Sequence, residues 1–155
     1  MEIKDIVRSH FVQLYTTEAV RSLRTLHHHI NCTKLTNEEK LLLDLSVSRV
    51  DIEQAFKSFK PLKAPGLDGL HPVFFQKFWD TIGDSTTSFI LDIFRLRKMP
   101  FETNAILVCL IPKVTKPESI HQFRPIGLCN TLYKVVTKIL VLCLKLLLSN
   151  LIHPL

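Results

Sequence analysis

The sequence predicts an α+β fold that is mostly helical, with one short β-hairpin and a long C-terminal helix. Three observations indicate this class. Apolar residues recur at helical spacing along most of the chain. Only one pair of strand-like runs, residues 105–111 and 123–129, stands among the helical segments. After that pair, residues 131–148 form an apolar stretch without a breaker, about 27 Å long as a helix.

Length and composition indicate one domain with a hydrophobic core. The chain has 155 residues, of which 46% are hydrophobic and 22% are charged, as in ordinary globular proteins. Its four cysteines show no CxxC spacing, which favours a reducing compartment. Residues 1–11 lack the apolar core of a signal peptide, and no run of about 18 uncharged apolar residues occurs. We therefore expect a soluble intracellular protein, in the cytoplasm or the nucleus, that does not bind a membrane.

Positive charge is concentrated in the C-terminal part of the chain. Residues 1–92 carry 11 Lys and Arg against 12 Asp and Glu, whereas residues 93–155 carry 9 against 2. A one-sided positive field attracts polyanions such as nucleic acid or a nucleoside triphosphate. A basic surface without a partner is the alternative, and charge alone does not decide between the two.

Four helices are predicted before residue 60. Apolar spacing indicates the first two. Capping boxes, in which a Ser or Thr is followed three residues later by an acid, begin the other two: Thr36 with Glu39, and Ser48 with Asp51. The four are expected over residues 2–15, 18–28, 37–43 and 49–58.

A cluster after the second helix invites a metal-site hypothesis. His27, His28 and His29 precede Cys32, and His28 and Cys32 would share a helical face. A zinc site needs four ligands, however, and no second cluster is nearby in the sequence. We interpret the cluster as a solvated helix end and predict no metal site.

Residues 60–69 form a loop whose geometry is strongly imposed. Two prolines and two glycines in ten residues preclude a helix. Gly66 and Gly69 can adopt positive φ, and Asp68 can accept hydrogen bonds from neighbouring backbone amides. Such a loop either serves a function or merely changes the direction of the chain. Taken alone, the pattern favours the second interpretation.

Pro72 is placed to begin a helix with an aromatic stripe. We interpret this stripe as core rather than as a platform for stacked bases; it consists of Phe74, Phe75, Phe78, Trp79 and Ile82. Gly83, Asp84 and Ser85 are predicted to end the helix and to cap another over residues 86–97.

A β-hairpin is predicted next. Residues 105–111 are a continuous apolar run rich in branched side chains, which is typical of a buried strand. Residues 123–129 are a shorter run, and Pro125 confines it to the edge of a sheet. Residues 117–119 mark the turn between the two runs.

The predicted hairpin is basic. It carries Lys113, Lys116 and Arg124, with only Glu118 to neutralise them. This composition suggests a charged ligand, and an ordinary solvated surface is the alternative.

Three segments of the chain, taken in order, resemble one protein family. They are Lys63–Gly69 (KAPGLDG), Leu110–Lys113 (LIPK) and Phe123–Leu128 (FRPIGL), with Tyr133 and Lys134 beyond. The family is the reverse transcriptase, an RNA-directed DNA polymerase, of LINE-type (non-LTR) retrotransposons, and plant copies are the most similar. The resemblance implies a helical segment that precedes the polymerase over residues 1–45. Residues 46–155 would then be a partial reverse transcriptase domain.

The resemblance also implies roles for individual residues. In the family, these motifs build the fingers and the start of the palm of a right-hand polymerase. Lys113 and Arg124 would correspond to the fingers residues that grip the triphosphate of the incoming nucleotide, a role that an ammonium and a guanidinium suit. The loop on the template side would include Lys63, Gly66, Asp68 and Gly69. The implied partners are a nucleoside triphosphate and RNA or DNA, bound weakly through charge.

Two positions depart from the family pattern. Leu67 stands where the family usually has proline, and Gly127 stands where it usually has serine. We therefore expect a looser loop than in the family.

The family's catalytic residues have no counterpart in this sequence. Those polymerases hold two metal ions with palm aspartates, two of them in an [FY]-x-D-D turn. Here the last aspartate is Asp92, and no carboxylate side chain follows Glu118. We predict no catalytic residue, metal ligand or cofactor in this chain, with Mg²⁺ expected only in the full-length family enzyme. The chain is interpreted as a truncated fragment that is inactive alone.

Two other interpretations stay open. The chain would be a non-catalytic nucleic-acid-binding module, or a helical interaction protein whose basic charge is incidental. The long helix is apolar nearly all round over residues 139–148, and one of its faces has no predicted partner because the palm sheet is absent. Self-association through that face is a further expectation.

Overall fold

The structure, a computed structural model, describes residues 3–16, 35–43 and 47–151. The elements in this part of the chain are α1 (Ile3–Tyr15), α2 (Asn37–Leu43), α3 (Arg49–Lys57), α4 (Pro72–Lys77), α5 (Trp79–Leu96), α6 (Phe101–Asn104), β1 (Ile106–Pro112), β2 (Phe123–Cys129) and α7 (Thr131–Leu151). The two strands pair with each other, and a short 3-10 helix lies between them. This content is compatible with the predicted α+β class, and the identity of these elements as polymerase fingers stays a prediction.

Both predicted capping boxes are present. Ser48 Oγ accepts a hydrogen bond from the Asp51 amide at 3.2 Å, and the Asp51 carboxylate accepts one from the Ser48 amide at 2.9 Å. Thr36 and Glu39 exchange the same two bonds, at 3.2 and 2.8 Å. Because these bonds satisfy amides that have no partner within the first helical turn, they determine where α2 and α3 begin.

The larger of two compact units is formed by the described residues of Lys34–Cys109 and Ile126–Leu155. In it, α3 contacts α4, α5 and α7, and α4 contacts α5. Aromatic rings meet at the centre, where the Phe56 and Phe75 centroids lie 4.8 Å apart. The largest fully buried side chains include Phe56, Ile52, Ile90 and Val135. Burial of these side chains provides the main stabilisation of the unit.

One helix runs through the residues where the sequence predicts a break. Helix α5 is continuous across residues 83–85, so the prediction that they end one helix and cap another is wrong. The break lies earlier, at Phe78, where ψ is 18°. Gly83 is buried against Trp79, and a β-carbon there would lie 3.1 to 3.3 Å from three indole atoms. The glycine therefore makes room for a ring rather than ending a helix.

The aromatic stripe is only partly core. Phe75 and Trp79 are buried, as predicted, whereas 52% of the surface of Phe78 is exposed and Phe74 is also exposed. For these two the core prediction is wrong, because the chain leaves helical geometry at Phe78 and the five residues no longer share one helical face. The exposed rings pack on each other, with centroids 5.3 Å apart.

The hairpin forms as predicted, but β1 is not buried. Its side chains at positions 106, 107, 108 and 111 are 39 to 54% exposed, so the buried-strand prediction is wrong. Among the described residues the sheet has two strands, so each of them is an edge. Strand β2 accommodates Pro125, as an edge strand can.

The smaller compact unit consists of α1 and the tip of the hairpin, within the described residues of Met1–Thr33 and Leu110–Pro125. Helix α1 has no buried residue. The His10 ring meets the His121 ring edge to face, with centroids 4.6 Å apart.

Helix α7 extends the predicted 131–148 helix to Leu151. Val135, Val136, Ile139 and Leu147 are buried. On its outer side five apolar side chains are 44 to 56% exposed: Leu140, Val141, Leu142, Leu144 and Leu148. The described part of α7 therefore has an exposed apolar face, as the sequence predicts, that no other described residue covers. Neither α7 nor another helix of the described residues combines the length and apolarity needed to cross a membrane.

Two predictions concern residues that the structure does not describe. The helix expected over residues 18–28 and the cluster of His27, His28, His29 and Cys32 lie outside the described residues. The division between residues 1–45 and 46–155 stays a prediction.

Candidate nucleic-acid interface

Gln122 organises the tip of the hairpin. Its Oε1 accepts hydrogen bonds from the amides of Glu118 at 2.6 Å and Ser119 at 3.2 Å. The backbone amide of Gln122 donates to Ser119 O at 3.1 Å, and its backbone carbonyl accepts from the Lys113 backbone amide at 2.7 Å. The turn is thus held by one side chain together with ladder hydrogen bonds, which gives the basic residues around it a defined backbone.

Lys113 is directed back over this turn. Its Nζ donates to His121 O at 2.8 Å, although the residue as a whole is exposed. An ammonium has three donors, so two remain for a ligand. The contact reduces the freedom that Lys113 would lose on binding an anion.

Arg124 and Lys116 complete the basic tip, which we define as Lys113, Lys116 and Arg124. All three are exposed, and within the described part of the chain none of them forms an ion pair. Glu118 is the one acid between residues 110 and 125. The tip therefore presents three positive charges and one acid, and none of the three cations forms an ion pair with a carboxylate of the described residues.

The 60–69 loop uses its two glycines in different ways. Gly69 has a φ of 68°, as predicted, and is the one glycine of the described residues with positive φ. The expectation of positive φ at Gly66 is therefore wrong. Gly66 is buried against Asn130, where a β-carbon would overlap the Asn130 side chain and backbone. Asp68 Oδ1 accepts from the Leu70 amide at 3.0 Å, in agreement with the predicted local bond.

Asn130 ties this loop to two other segments. Its Oδ1 accepts from the Asp68 amide at 3.4 Å, and its Nδ2 donates to Glu102 O at 2.9 Å. The next residue, Thr131, donates its hydroxyl to Leu70 O at 2.6 Å. Both residues are buried, so these bonds satisfy side-chain polar groups that would otherwise be costly to bury.

Lys134 adds a positive charge beside the loop. Its Nζ donates to Ala64 O at 2.6 Å. Partial burial, and then the nearby charge of Lys63, lower the pKa of Lys134, while Cys129 and Asp68 act in the opposite direction. Lys63 and Lys134 are therefore close enough to repel each other, and an anion bound near both would relieve that repulsion.

The predicted site residues fall into two groups. Lys113 and Arg124 lie at the hairpin tip, in the smaller unit, whereas Lys63, Gly66, Asp68 and Gly69 share one loop of the larger unit. Each group is a local arrangement that can be tested separately, and the roles implied by the resemblance stay predictions.

Sequence reasoning assigned no site role to three residues that adjoin the loop. Asn130, Lys134 and Lys138 are spaced four apart and therefore follow one side of α7. The repeated lysine spacing was a visible signal. It did not indicate that this side of the helix meets the 60–69 loop, since that depends on tertiary packing.

No metal centre is formed by the described residues. Among residues 3–16, 35–43 and 47–151, no group of three His, Cys, Asp or Glu side chains is arranged to hold an ion.

Comparison with known proteins relates the chain to a mobile element. No protein-family model matches it. It is 30% identical over 152 residues to the transposon TX1 uncharacterized 149 kDa protein of Xenopus laevis. The match covers 98% of this chain and 12% of that protein, so the chain spans about an eighth of the length of its relative. This similarity suggests an origin in a transposon.

Proposed function

We propose that the chain is part of the reverse transcriptase of a LINE-type (non-LTR) retrotransposon of the plant type. It would comprise the fingers and the start of the palm. The proposal is supported by similarity to a transposon protein along nearly the whole chain, together with the ordered segments KAPGLDG, LIPK and FRPIGL. The similarity supports an origin in a transposon, and the three segments are the reason for proposing a polymerase within it.

The function proposed for this part is to hold phosphate groups. The observation that carries it is the basic tip, where Lys113 and Arg124 stand on one hairpin without an ion pair among the described residues. A guanidinium offers paired donors to phosphate oxygens, and an ammonium adds a point charge. The triphosphate of a nucleotide is the ligand that this role implies.

Chemistry is not proposed for this chain alone. Two-metal phosphoryl transfer requires carboxylates to hold the ions, and the sequence has no Asp or Glu beyond Glu118. In the family enzyme Mg²⁺ is expected at palm aspartates, for which this sequence has no counterpart.

Binding of a fluorescent deoxynucleoside triphosphate tests the proposed role. Each charged hydrogen bond contributes about 1.5–3 kcal/mol, so Lys113→Ala or Arg124→Ala should weaken binding about tenfold or more. Lys98→Ala removes an equal charge from an exposed residue outside the tip and should change affinity little. Equal effects of all three substitutions would contradict a specific phosphate site.

The genomic locus tests the polymerase origin independently. A frame beyond codon 155, intact or damaged, that reaches [FY]-x-D-D is the expected result. A neighbouring sequence with no trace of a palm domain, in several independent copies of the locus, would contradict it.

A second candidate function has an observation of its own. The exposed apolar face of α7 suits a helical interaction protein with incidental basic charge. In that case nucleic-acid binding would be absent, or insensitive to salt and to changes at Lys113 and Arg124. A non-catalytic nucleic-acid-binding module would instead keep the salt-sensitive binding without belonging to an active polymerase.

A further inference from the structure

Strand β1 has one edge with which no described segment pairs. The sheet of the described residues contains β1 and β2 alone, and the Lys113 amide donates to Gln122 O. Because backbone groups alternate in direction along an antiparallel strand, those of Lys113 face β2, and those of residues 106, 108 and 110 face away. No backbone hydrogen bond to another described segment involves these three residues. We call this row of backbone groups the outer edge of β1.

The outer edge lacks the residues that commonly keep a natural edge strand unpaired. Lysine and proline are two such devices, whereas residues 106–111 contain neither a charged residue nor a proline. Exposed apolar side chains lie on both faces of the strand, as Leu107 and Val108 illustrate. An edge of this kind is available for pairing with another strand. A two-stranded sheet is also marginal by itself and gains stability when further strands join it.

The chemistry of the outer edge suits a second copy of the same strand. A segment that pairs there has to be uncharged and to present apolar side chains on both faces, because its cross-strand neighbours on β1 do so. Strand β1 itself meets both conditions. The same patch would then be used by both copies, which is the commonest arrangement in dimers.

Charge at the ends of β1 favours an antiparallel pair. Glu102 precedes the strand and Lys113 follows it, and both are exposed. An antiparallel pair places Lys113 of one copy at the same end as Glu102 of the other, whereas a parallel pair brings like charges together. The antiparallel pair also directs the two basic tips toward opposite ends of the joined sheet. Repulsion between two chains of net charge +6 is thereby reduced.

We propose that two copies of the chain join through the outer edges of β1, antiparallel and about a two-fold axis, to form one continuous sheet. A pair centred on Val108 sets Val108 opposite its own copy and Ile106 opposite Leu110. Each facing pair exchanges two N–H···O bonds, so this register satisfies every group of the outer edge. The pairing is separate from association through α7, and it does not depend on the proposed function.

Disulfide crosslinking tests the register. On the other face of β1, the proposed register places Leu107 opposite Cys109 of the second copy, and Ile111 lies about 13 Å further along the strand. Leu107→Cys and Ile111→Cys are therefore a matched pair, because the two residues share a face and are 39 and 46% exposed. Both are made in a chain whose other three cysteines are replaced by serine, so that the free thiol of Cys109 is the one native thiol left.

Under a mild oxidant, Leu107→Cys should form a disulfide-linked dimer about tenfold faster than Ile111→Cys, because distant cysteines cannot be bridged. Non-reducing electrophoresis measures the rate, and mass spectrometry identifies the link between positions 107 and 109. Equal rates would mean random collision of the two copies. Faster linkage of Ile111→Cys would mean a different register. Either result would overturn the proposed pairing.

A proline at the outer edge tests whether backbone hydrogen bonds hold the pair. Val108→Pro removes an outward N–H and leaves the bonds between β1 and β2, as an edge strand permits. Val108→Thr keeps that N–H and loses apolar surface. Combined with Leu107→Cys, the proline should slow crosslinking about tenfold, and the threonine should slow it little. Equal slowing by both would mean that apolar contact alone draws the copies together, against the proposal.

Amide hydrogen exchange of the unchanged chain covers the case in which a variant does not fold. The amides of β1 that face β2 should be protected at every protein concentration. Those of the outer edge, at residues 106, 108 and 110, should become protected as the concentration rises. Fast exchange of the outer edge at all concentrations would overturn the proposal. Protection that does not depend on concentration would also overturn it, because another segment of the same chain would then cover the edge.

Discussion

The backbone of Gly66 lies directly against Asn130, and no other residue type fits there without displacement. A β-carbon at position 66 would come within 2.6 Å of the Cys129 carbonyl carbon and closer still to Asn130. These neighbours are mainly backbone, at the start of α7, and cannot rotate away as the end of a flexible side chain can.

Gly66→Ala should therefore destabilise the attachment of the 60–69 loop to α7. Overpacking of this kind costs about 1–3 kcal/mol. Amide hydrogen exchange over residues 60–70 and the first turns of α7 measures the loss as faster opening. Gly69→Ala is the matched control: it has open space around it but a φ of 68°, and a left-handed residue costs about 1–2 kcal/mol. In Gly69→Ala, fast amide exchange should therefore stay confined to the loop. If fast exchange extended into α7 equally in both variants, the packing of Gly66 on Asn130 would be shown to be unimportant.

Ser48→Ala should weaken the start of α3. Loss of an N-cap side chain costs about 1 kcal/mol. Hydrogen bonds from the Ser48 side chain, and then from its backbone amide, lower the pKa of Asp51, so the substitution should move that pKa upward. An NMR titration of the Asp51 carboxyl carbon measures it, with Asp80→Asn as a control that should leave it unchanged.

The same capping box should make α3 sensitive to acid. The ordinary pKa of an aspartate is about 3.9, and the pKa of Asp51 in the folded chain lies below it. The carboxylate therefore stabilises the helix fully when the pH is above the ordinary pKa. The contribution is lost as pH falls below it, through the folded pKa. Hydrogen exchange of α3 should rise in that range in the unchanged chain and much less in Asp51→Asn. An equal rise in both would assign the acid sensitivity to other groups.

The purified chain should not extend a primer on an RNA template with Mg²⁺ or Mn²⁺. The reason is the absence of an Asp or Glu beyond Glu118, because the proposed polymerase chemistry requires carboxylates that hold two metal ions. A radiolabelled incorporation assay measures this, with a mock purification as the control. Template-dependent incorporation that exceeds the mock sample would contradict it.

The isolated chain should be loosely packed and self-associate, or be insoluble, with native-like helical content. Each large apolar side chain left in water forgoes about 1.5–3 kcal/mol of burial, and α7 exposes five. Leu140→Gln with Leu144→Gln, 47 and 48% exposed and one turn apart, should shift the chain toward monomer. Leu62→Gln with Leu96→Gln changes two exposed leucines that do not belong to α7 and should not have this effect.

Analytical ultracentrifugation follows the association, and a thermal melt follows the packing. A monodisperse monomer with a sharp cooperative melt would show that the exposed face of α7 is tolerated. Association that persists in the α7 variant would place the contact elsewhere.

Local sequence rules predicted the helix starts well. Ser48 with Asp51, and Thr36 with Glu39, act within one turn, so their outcome depends on neighbours in the chain. Pro72 begins α4 for the same local reason.

Predictions that depended on distant partners failed. Gly83 was interpreted as a helix end, but it lies within α5, where a β-carbon would stand only 3.1 to 3.3 Å from the Trp79 indole. Branched residues of β1 were interpreted as buried, but burial of a strand requires layers on its faces that the sequence of the strand does not encode.

The candidate sites divide in the same way. Lys113 and Arg124 were placed on one hairpin by a turn that the sequence shows. Lys60, Lys134 and Lys138 were missed as a group because the meeting of the loop with α7 depends on tertiary contacts.

The side-chain amide of Asn130 satisfies two backbone groups at once, and few other side chains could do so. It presents an oxygen to an N–H of one segment and an N–H to a carbonyl of another, both within the reach of a short side chain. Aspartate would place a negatively charged oxygen next to the Glu102 carbonyl oxygen. Leucine would leave the Asp68 amide and the Glu102 carbonyl without these hydrogen bonds, and the glutamine side chain is longer by one methylene group. Because both partners are backbone groups, the demand falls on residue 130 itself, whichever side chains stand at positions 68 and 102.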